Sequence, residues 1–248
     1  MRYALQYCLS LIFIGQMYVM MLLMGIFFFP LAVISRENAV WAVHTYTRWV
    51  RWTASWMIGL KSEVRGPVPD GELIVCPKHQ SFFDIIIIVS VLPRPRFIMK
   101  AQLKFAPILG YFGFRIGCVP VNRGKGAKAI KQMVDGVEKM RDFPGQLIIY
   151  PQGTRVAPGV KKPYKIGSGV LYEGLRQACV PAATNVGVFW PRHGIYRRPG
   201  LAVVEFLPVI EQGLTVDTFM QQLEEEVESH SDRLMQEAGF DVENARWP

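Results

Sequence analysis

The sequence contains few cysteines, and none of them forms a closely spaced pair. The four are Cys8, Cys76, Cys118 and Cys179. Zinc knuckles and redox motifs place two cysteines a few residues apart, so neither kind of site is indicated. Repeats and low-complexity tracts are also absent, and because 50% of the residues are hydrophobic, a disordered chain is excluded. We expect all four cysteines to be reduced, small core residues of a protein in a reducing compartment.

Charged residues are absent from a long stretch near the N-terminus. The 33 residues from Tyr3 to Ser35 carry no charge, whereas a helix that crosses the ~30 Å hydrocarbon core of a bilayer needs about 20 apolar residues. A cleaved signal peptide is the alternative, but the run is too long and no small-x-small cleavage site precedes Arg36. We predict a membrane segment that Pro30 ends or kinks near its far side.

The next stretch, Ala39–Leu60, is rich in tryptophan. It holds four of the six tryptophans of the chain, namely Trp41, Trp49, Trp52 and Trp56. Their spacings of three, four and eight place them on or near one helical stripe, from which Arg48 and Arg51 can extend toward phosphate head groups. We predict an interfacial helix at a membrane surface, the alternative being an aromatic core helix. Residues 1–60 are therefore expected to anchor the protein.

Acidic residues are scarce outside the C-terminal tail. From Glu211 onward the chain carries 10 acidic and 2 basic residues, whereas the part before Glu211 carries 10 acidic and 26 basic ones. A basic body favours anionic partners such as phosphate groups, acidic lipids or an acidic carrier protein. Nucleic acid is disfavoured, because no nucleic-acid-binding motif is visible.

From Ser62 onward, short apolar strands alternate with helical patterns. The predicted strands are Glu72–Cys76, Arg96–Lys100, Cys118–Val121, Gln146–Tyr150, Ala182–Phe189 and Ala202–Leu207. The predicted helices are Phe82–Leu92, Pro107–Tyr111, Gly126–Arg141, Ser168–Ala178 and Thr215–Ala238. This alternation indicates one α/β domain over residues 61–248, with a mixed sheet flanked by helices. The acidic last helix is expected to be solvated and to carry no chemistry.

The first candidate site is the segment Cys76–Asp84, which follows a predicted strand and opens a very apolar helix. In one interpretation Ser81 caps the helix and Asp84 occupies its third position, where the carboxylate satisfies a backbone amide. In the other, Asp84 holds the His79 imidazole in the tautomer whose free nitrogen accepts a substrate proton. The two interpretations compete for Asp84, and this spacing alone does not decide between them.

Two further segments follow predicted strands and carry an arginine near a glycine. Arg123, within Gly117–Gly126, can bind a phosphate group with help from amides at the start of the next helix; a solvated loop arginine is the alternative. The segment Tyr150–Arg155 presents Thr154 and Arg155 at the carboxyl end of a strand, where open α/β sheets bind ligands. A plain Pro-Gly turn is the alternative there.

Together, and in this order, the three segments resemble the motifs of the glycerolipid acyltransferase family, specifically those of 1-acylglycerol-3-phosphate acyltransferases. In that family the first block reads N-H-x-S-x-x-D, the second ends in an arginine and the third usually reads P-E-G-T-R. Val180–Ala182 resembles a fourth, apolar block with a proline, and the resemblance covers roughly residues 35–210. Lys78 stands where the family commonly has asparagine, and Gln152 where it usually has glutamate.

The resemblance implies transfer of an acyl group from an acyl-carrier-protein or coenzyme A thioester to the sn-2 hydroxyl of 1-acylglycerol-3-phosphate. The product would be phosphatidic acid for phospholipid biosynthesis. The resemblance implies His79 as general base, Asp84 as its orienting carboxylate, and no metal or cofactor beyond the thioester co-substrate. The substrate-binding residues that it implies are Arg123, Gly153, Thr154 and Arg155, with Gln152 limited to positioning and with Lys100 and Lys104 as weaker candidates.

Three alternatives stay open from the sequence. The acceptor could be another lysolipid, such as lyso-ornithine lipid, because Gln152 cannot carry a negative charge. A lipase-like hydrolase is disfavoured, because no G-x-S-x-G elbow is present. A non-catalytic membrane phospholipid-binding protein would keep the motifs only as anion sites. A basic body that faces the cytoplasm agrees with the positive-inside tendency, so we expect the protein at the cytoplasmic face of the inner membrane.

Overall fold

The computed structural model describes residues 2–122, 126–140 and 142–247, over which helices and strands alternate. The helices are α1 (Arg2–Ile34), α2 (Arg36–Met57), α3 (Phe83–Val91), α4 (Pro107–Arg115), α5 (Ala127–Glu138), α6 (Gly167–Leu175), α7 (Val186–Phe189) and α8 (Val216–Glu237). The strands are β1 (Leu60–Arg65), β2 (Ile74–Pro77), β3 (Pro95–Lys100), β4 (Val119–Val121), β5 (Gln146–Ile148), β6 (Cys179–Thr184) and β7 (Gly200–Phe206). A short 3-10 helix, Ala101–Phe105, follows β3.

Within the described chain, the strands form one seven-stranded sheet in the order β1-β7-β6-β2-β5-β3-β4. Neighbouring strands are parallel except for β6 and β7, which are antiparallel. The predicted mixed sheet flanked by helices is therefore confirmed. Because successive side chains of a strand point to opposite faces, Val75 and Ile148 pack in one core with α2 and α3, whereas Ile74 and Leu147 pack in another with α5, α6 and α8.

The two N-terminal helices form an antiparallel pair. Ser35 separates them in an extended conformation, and its hydroxyl caps the first turn of α2. Near the turn between the helices, the ring of Phe28 contacts that of Trp41. At the far end of the pair, the side-chain amide of Gln6 donates to the Ile58 carbonyl. The pair therefore acts as one unit against the sheet.

Helix α1 lies along the α/β domain over most of its length. Phe13 packs edge-on against Trp190, and further along Gly25 lets α4 approach, since a Cβ there would lie 2.8 Å from a methyl group of Ile108. Among the described residues, α1 is the one helix long and apolar enough to cross a membrane, and only 22% of its most apolar window is buried. Its exposed side is apolar and includes Leu11, Ile12, Leu22, Leu23, Ile26 and Phe27.

The tryptophan stripe of α2 is only partly exposed. The exposed members are Trp41, Trp52 and Trp56. Trp49 instead packs against the hydrophobic core. Arg51 differs from the expectation that it extends outward, because its guanidinium donates to the hydroxyls of Ser62 and Ser90. Arg51 thus ties α2 to β1 and α3.

Two elements differ from the sequence-based expectation. The sequence predicts no strand over β1, because this edge strand pairs with β7 alone and its mostly half-buried residues lack an apolar pattern. The predicted strand Ala182–Phe189 is wrong after Thr184. There the Asn185 side chain accepts the Val203 amide at 2.7 Å and donates to the Leu234 carbonyl at 3.1 Å, and the chain turns into α7.

Helix α8 is not the solvated helix that its composition suggests. One side of it is buried against the sheet and α6 through Phe219, Leu223, Val227, Ser231 and Leu234. Cys8 also departs from expectation, because it is exposed on α1, whereas Cys76 and Cys179 are buried.

Candidate active site

The candidate site residues gather where neighbouring strands end. Strands β2, β5 and β3 are adjacent and parallel, so their carboxyl ends lie at one edge of the sheet. β2 leads into the segment that holds His79, β5 leads into Tyr150–Arg155, and β3 ends at Lys100. The first two segments are joined directly, because the Val156 amide donates to the His79 carbonyl at 2.8 Å. This is the edge at which open α/β domains bind ligands.

His79 and Asp84 form a buried hydrogen-bonded pair. Nδ1 of His79 lies 3.0 Å from Oδ1 of Asp84 and 3.2 Å from Oδ2. Oδ2 also accepts the backbone amides of Gln80 at 2.8 Å and Ser81 at 2.7 Å. One carboxylate therefore binds the amides before α3 and faces the imidazole, so the contacts that the two interpretations require of Asp84 are compatible. The N-cap residue of α3 is Phe82, and not Ser81 as the first interpretation expects. A carboxylate at Nδ1 favours the tautomer in which Nε2 carries no proton.

Tyr150 belongs to the same arrangement, although the sequence analysis assigned it no role. Its ring stacks on the His79 imidazole with the centroids 3.9 Å apart. Its hydroxyl donates to Oδ1 of Asp84 at 3.3 Å. The stacked ring restricts rotation of the imidazole, and the hydroxyl adds a donor to the buried carboxylate. The only sequence signal was its place at the end of an apolar run, directly before the third segment.

An apolar cavity of about 780 Å³ opens beside the pair. Its walls come from α1, α2, α3 and α4 and include Met24, Phe28, Val43, Ile86 and Phe112. His79 and Tyr150 line the same cavity. Small-molecule sites have volumes of roughly 300–1,000 Å³ and mostly apolar walls. The cavity therefore has the size and polarity that a long hydrocarbon chain requires, with an imidazole at its wall.

The structure brings most of the sequence-predicted substrate residues to this cavity. Those that line it are Lys100, Gly153, Thr154 and Arg155. Lys104 is not among the lining residues, and its ammonium group lies 4.8 Å from the centroid of the exposed Phe105 ring. Arg123 lies outside the described residues, and its role stays a prediction.

Two cations that the sequence analysis passed over also line the cavity. Arg192 and Arg197 come from the loop between α7 and β7. The Arg192 guanidinium donates to the Arg155 carbonyl at 3.2 Å, and that of Arg155 donates to the Arg192 carbonyl at 3.4 Å. These two hydrogen bonds join the loop between α7 and β7 to the segment Tyr150–Arg155. The available signal was a cluster of arginines, with Arg198 as its third member, in a loop that contains proline and glycine.

Lys78 and Gln152, the two departures from the family motifs, meet at one carboxylate. Glu228 of α8 lies 2.5 Å from the buried Lys78 ammonium group. It also accepts the Tyr164 hydroxyl at 2.8 Å and the Gln152 side-chain amide at 3.3 Å. Burial, together with the Glu228 charge, raises the pKa of Tyr164, so its hydroxyl stays protonated and can donate. Four distant segments are joined in this network.

The network gives a physical account of both departures. A glutamate at position 152 would place a second carboxylate beside Glu228, whereas glutamine donates a hydrogen bond to it. Lys78 neutralises the Glu228 charge that asparagine would leave unpaired. Gln152 is 1% exposed and is not among the lining residues of the cavity. The change from glutamate therefore leaves the cavity surface that a head group would meet unaltered.

The chemistry available at the site is that of an oriented imidazole. Among the described residues, no three His, Cys, Asp or Glu side chains converge as ligands of a metal ion would. An imidazole held by a carboxylate, beside an apolar cavity lined with cations, suits proton removal from a ligand with a hydrocarbon chain and an anionic group. Fold and site together are those of an α/β protein that places an oriented imidazole beside a lipid-sized cavity.

Comparison with known proteins names the family. The chain matches the Acyltransferase family over residues 61–184, half of its length, and belongs to that family. It is 23% identical over 177 residues to the 1-acyl-sn-glycerol-3-phosphate acyltransferase of Pseudomonas aeruginosa, an alignment that covers 71% of this chain and 69% of the relative. It is 29% identical over 173 residues to the human 1-acyl-sn-glycerol-3-phosphate acyltransferase beta, which covers 67% of this chain and 62% of the relative.

The fold is shared with a solved structure. The crystal structure of the 1-acyl-sn-glycerophosphate (LPA) acyltransferase PlsC from Thermotoga maritima superposes with a TM-score of 0.78 at 17% sequence identity. The superposition covers 94% of this chain and 99% of that one. The N-terminal helix pair is thus included in the likeness together with the sheet.

The Glu228 network predicts that charges at positions 152 and 228 are coupled. Glu228→Gln leaves the Lys78 ammonium group buried without its partner and should lower the free energy of unfolding by about 3 kcal/mol, the low end for a broken buried ion pair. Gln152→Glu should also destabilise, because two carboxylates then share one site. The double variant retains one carboxylate and should be more stable than additivity predicts by about 1 kcal/mol or more.

The measurement is unfolding of the detergent-solubilised protein by denaturant, with Glu225→Gln on the exposed side of α8 as the matched control. Additive effects of the two substitutions would show that the side chains do not interact, and this account of Gln152 would then be abandoned.

Proposed function

We propose that the protein transfers an acyl group from a thioester to the sn-2 hydroxyl of 1-acylglycerol-3-phosphate, which gives phosphatidic acid for phospholipid biosynthesis. The observation that carries the proposal is the His79–Asp84 pair beside an apolar cavity lined with cations. The imidazole suits a general base, the cavity suits an acyl chain, and the cations suit a phosphate group. Relatives that are named 1-acyl-sn-glycerol-3-phosphate acyltransferases support the same acceptor.

In the proposed mechanism, Nε2 of His79 removes the proton of the acceptor hydroxyl as its oxygen attacks the thioester carbonyl carbon. The tetrahedral intermediate collapses with cleavage of the carbon–sulfur bond, and the thiolate takes the proton from the imidazolium. Asp84 keeps Nδ1 protonated and stabilises the imidazolium that forms between the two steps. The lipid oxygen is the nucleophile, so the reaction requires no acyl-enzyme.

The third segment has two roles in this proposal. Its turn is fixed by the Gly153 amide, which donates to the Tyr150 carbonyl at 2.9 Å. Gly153 has a φ of +67°, a conformation that favours glycine. We assign the following amides, of Thr154 and Arg155, to the oxyanion of the tetrahedral intermediate. The Arg155 and Lys100 side chains, with Arg123, bind the acceptor phosphate. The donor is an acyl-carrier-protein or coenzyme A thioester.

The position that we propose for the protein in the membrane rests on the packing of α1. Because α1 packs on the α/β domain along most of its length, we propose that it lies within one leaflet and presents its exposed apolar side to the hydrocarbon. Tryptophan is enriched in the head-group region of membranes, so we place the exposed tryptophans of α2 there. The basic body favours the anionic cytoplasmic face of the inner membrane. The cavity wall formed by α1 and α2 then borders the bilayer that holds the acceptor.

The proposed reaction is tested by acyl transfer to lysophosphatidic acid from acyl-coenzyme A or acyl-carrier protein. His79→Ala should lower kcat by 100-fold or more, the usual contribution of a general base. Asp84→Asn should have an effect at least as large, because the amide favours the wrong imidazole tautomer. His193→Ala, an exposed histidine on the loop before β7, is the control and should retain wild-type activity.

If the wild-type protein transfers no acyl group to lysophosphatidic acid from either donor, the proposed acceptor is refuted. Lyso-ornithine lipid is the acceptor to try next. Full activity of His79→Ala would refute the assigned base and leave the acceptor assignment standing.

The cavity predicts acyl-chain selectivity at Gly113 of α4. A Cβ at Gly113 would make ordinary contact with Met99, 3.6 Å away, so Gly113→Leu can extend into the cavity that Gly113 lines without displacing the backbone. The preferred acyl chain should become shorter, as measured by product lengths from a mixed thioester pool. Gly174→Leu on α6 is the control. An unchanged product profile would show that the chain lies elsewhere.

The exposed side of α1 predicts how the protein binds membranes. Leu22 and Ile26 are 51% and 64% exposed. A charged residue in the hydrocarbon core costs about 2.5–3.5 kcal/mol, so Leu22→Asp with Ile26→Asp should release the protein from vesicles in a flotation assay. Gln222→Asp on the exposed side of α8 adds one charge elsewhere and should float like the wild type. Flotation of the double variant at the wild-type level would place the membrane contact on another surface.

A further inference from the structure

The loop between α7 and β7 carries a buried arginine into the cavity. Arg197 is 7% exposed and lines the cavity together with Trp190, over whose ring its guanidinium lies at 4.5 Å. Trp190 in turn stacks on Phe83, with the centroids 5.1 Å apart. Phe83 precedes Asp84, so two aromatic contacts join Arg197 to the turn that holds the candidate base. The family motifs discussed above do not include this loop.

The hydrogen bonds of Arg197 are incomplete. Nη1 donates to the carbonyls of Gly194 at 2.9 Å and Tyr196 at 3.3 Å. Nε is buried and has no hydrogen-bond partner among the described residues. Within the described chain no carboxylate pairs with Arg197. A buried donor without a partner is costly, and more so on a charged group, so an anionic ligand beside this guanidinium would stabilise the site.

Burial lowers the pKa of Arg197 to about 10, against a smaller opposing effect of Tyr18, which still leaves the guanidinium charged at neutral pH. This cation is thus held away from water, with no counter-charge from the part of the chain that the structure describes. Buried charges in proteins are normally paired. A charged group kept in this state within a cavity is a common property of ligand sites.

The other charged residues that line the cavity carry the same positive charge as Arg197. Lys100, Arg155 and Arg192 also line the cavity, and among its described lining residues none is acidic. Arg192 is held next to Arg155 by their reciprocal bonds to backbone carbonyls. A second cation of the same loop thus lines the cavity.

We propose that Arg197 and Arg192 form a phosphate subsite of the cavity, in addition to Arg123 and Arg155 of the family motifs, that binds the phosphate ester of a substrate. This inference rests on the proposed function. Phosphate is the favoured chemistry because guanidinium groups donate to its oxygens in pairs. The phosphate belongs to the acceptor, whose head group and hydroxyl are a few bonds apart, or to a coenzyme A donor. Kinetics with acceptors and donors that carry or lack a phosphate group distinguish the two sources.

The first arm measures steady-state kinetics of the full-length, detergent-solubilised enzyme. The acceptors are lysophosphatidic acid and the monoacylglycerol of the same chain length, which lacks the phosphate. The donors are acyl-coenzyme A and S-acyl-pantetheine, which also lacks phosphate. Arg197→Gln should raise KM for lysophosphatidic acid 10-fold or more, with kcat changed less, and should leave monoacylglycerol kinetics unchanged. Arg197→Lys keeps the charge and should recover part of the loss.

The matched control is Arg198→Gln, because Arg198 is the adjacent arginine and stacks on Trp247 at 4.5 Å outside the cavity. It should behave like the wild type with every substrate. A rise in KM confined to acyl-coenzyme A, and absent with S-acyl-pantetheine, would support the subsite and assign it to the donor. Equal losses of kcat/KM with all four substrates would mean a structural role and would overturn the proposal.

A second arm separates this inference from the proposed function. Affinities of lysophosphatidic acid and monoacylglycerol are measured by calorimetry in the same detergent, without turnover. A wild type that prefers the phosphorylated lipid, with the preference lost in Arg197→Gln, supports the subsite even if no acyl transfer is found. If Arg197→Gln does not fold, the exposed Arg192→Gln carries the test with an expected loss of about 3-fold or more. Equal affinities of the two lipids for the wild type, together with an unchanged KM for acyl-coenzyme A in Arg197→Gln, would overturn the proposal.

Discussion

The rest of the site depends on the buried carboxylate of Asp84. It is fully buried, and its oxygens receive hydrogen bonds from the Gln80 and Ser81 amides and from Tyr150, and face Nδ1 of His79. A carboxylate is tolerated inside a protein only when such donors surround it. The bonds that make its burial possible also fix the turn between β2 and α3 and orient the imidazole. A change that freed the turn would therefore disorient the imidazole.

Local patterns predicted the parts of the protein whose partners are close in sequence. His79 and Asp84 are five positions apart across a strand-to-helix turn, and alternation of apolar runs with helical patterns predicted the mixed sheet. Partners from distant segments were not predictable. Glu228 reaches Lys78 across 150 positions, and Asn185 ends β6 through bonds to β7 and α8. Propensity and periodicity carry no information about such contacts, which depend on how finished elements pack.

The departures from the family motifs show why aligned positions cannot be interpreted one at a time. Gln152 looks like the loss of a functional charge as long as only its own segment is considered. In the fold, a carboxylate from α8 already lies 3.3 Å from its side-chain amide, and Lys78 supplies the matching cation. Replacement of glutamate by glutamine and of asparagine by lysine therefore changes two motifs, but both new side chains bind the same Glu228 carboxylate. The constraint is on the sum of charges in the network.

The helix α1 joins membrane attachment to substrate binding. One side of it is exposed and apolar, and another side forms a wall of the cavity beside His79. A single-chain phospholipid that enters from the bilayer is amphiphilic, with an apolar end that gains about 0.8 kcal/mol for each buried CH₂ group and an anionic end that stays with cations. In the proposed function, the apolar walls and the basic residues of one cavity thus bind opposite ends of the same molecule. The hydroxyl of such a ligand lies between those ends, and the oriented imidazole of His79 lines the same cavity.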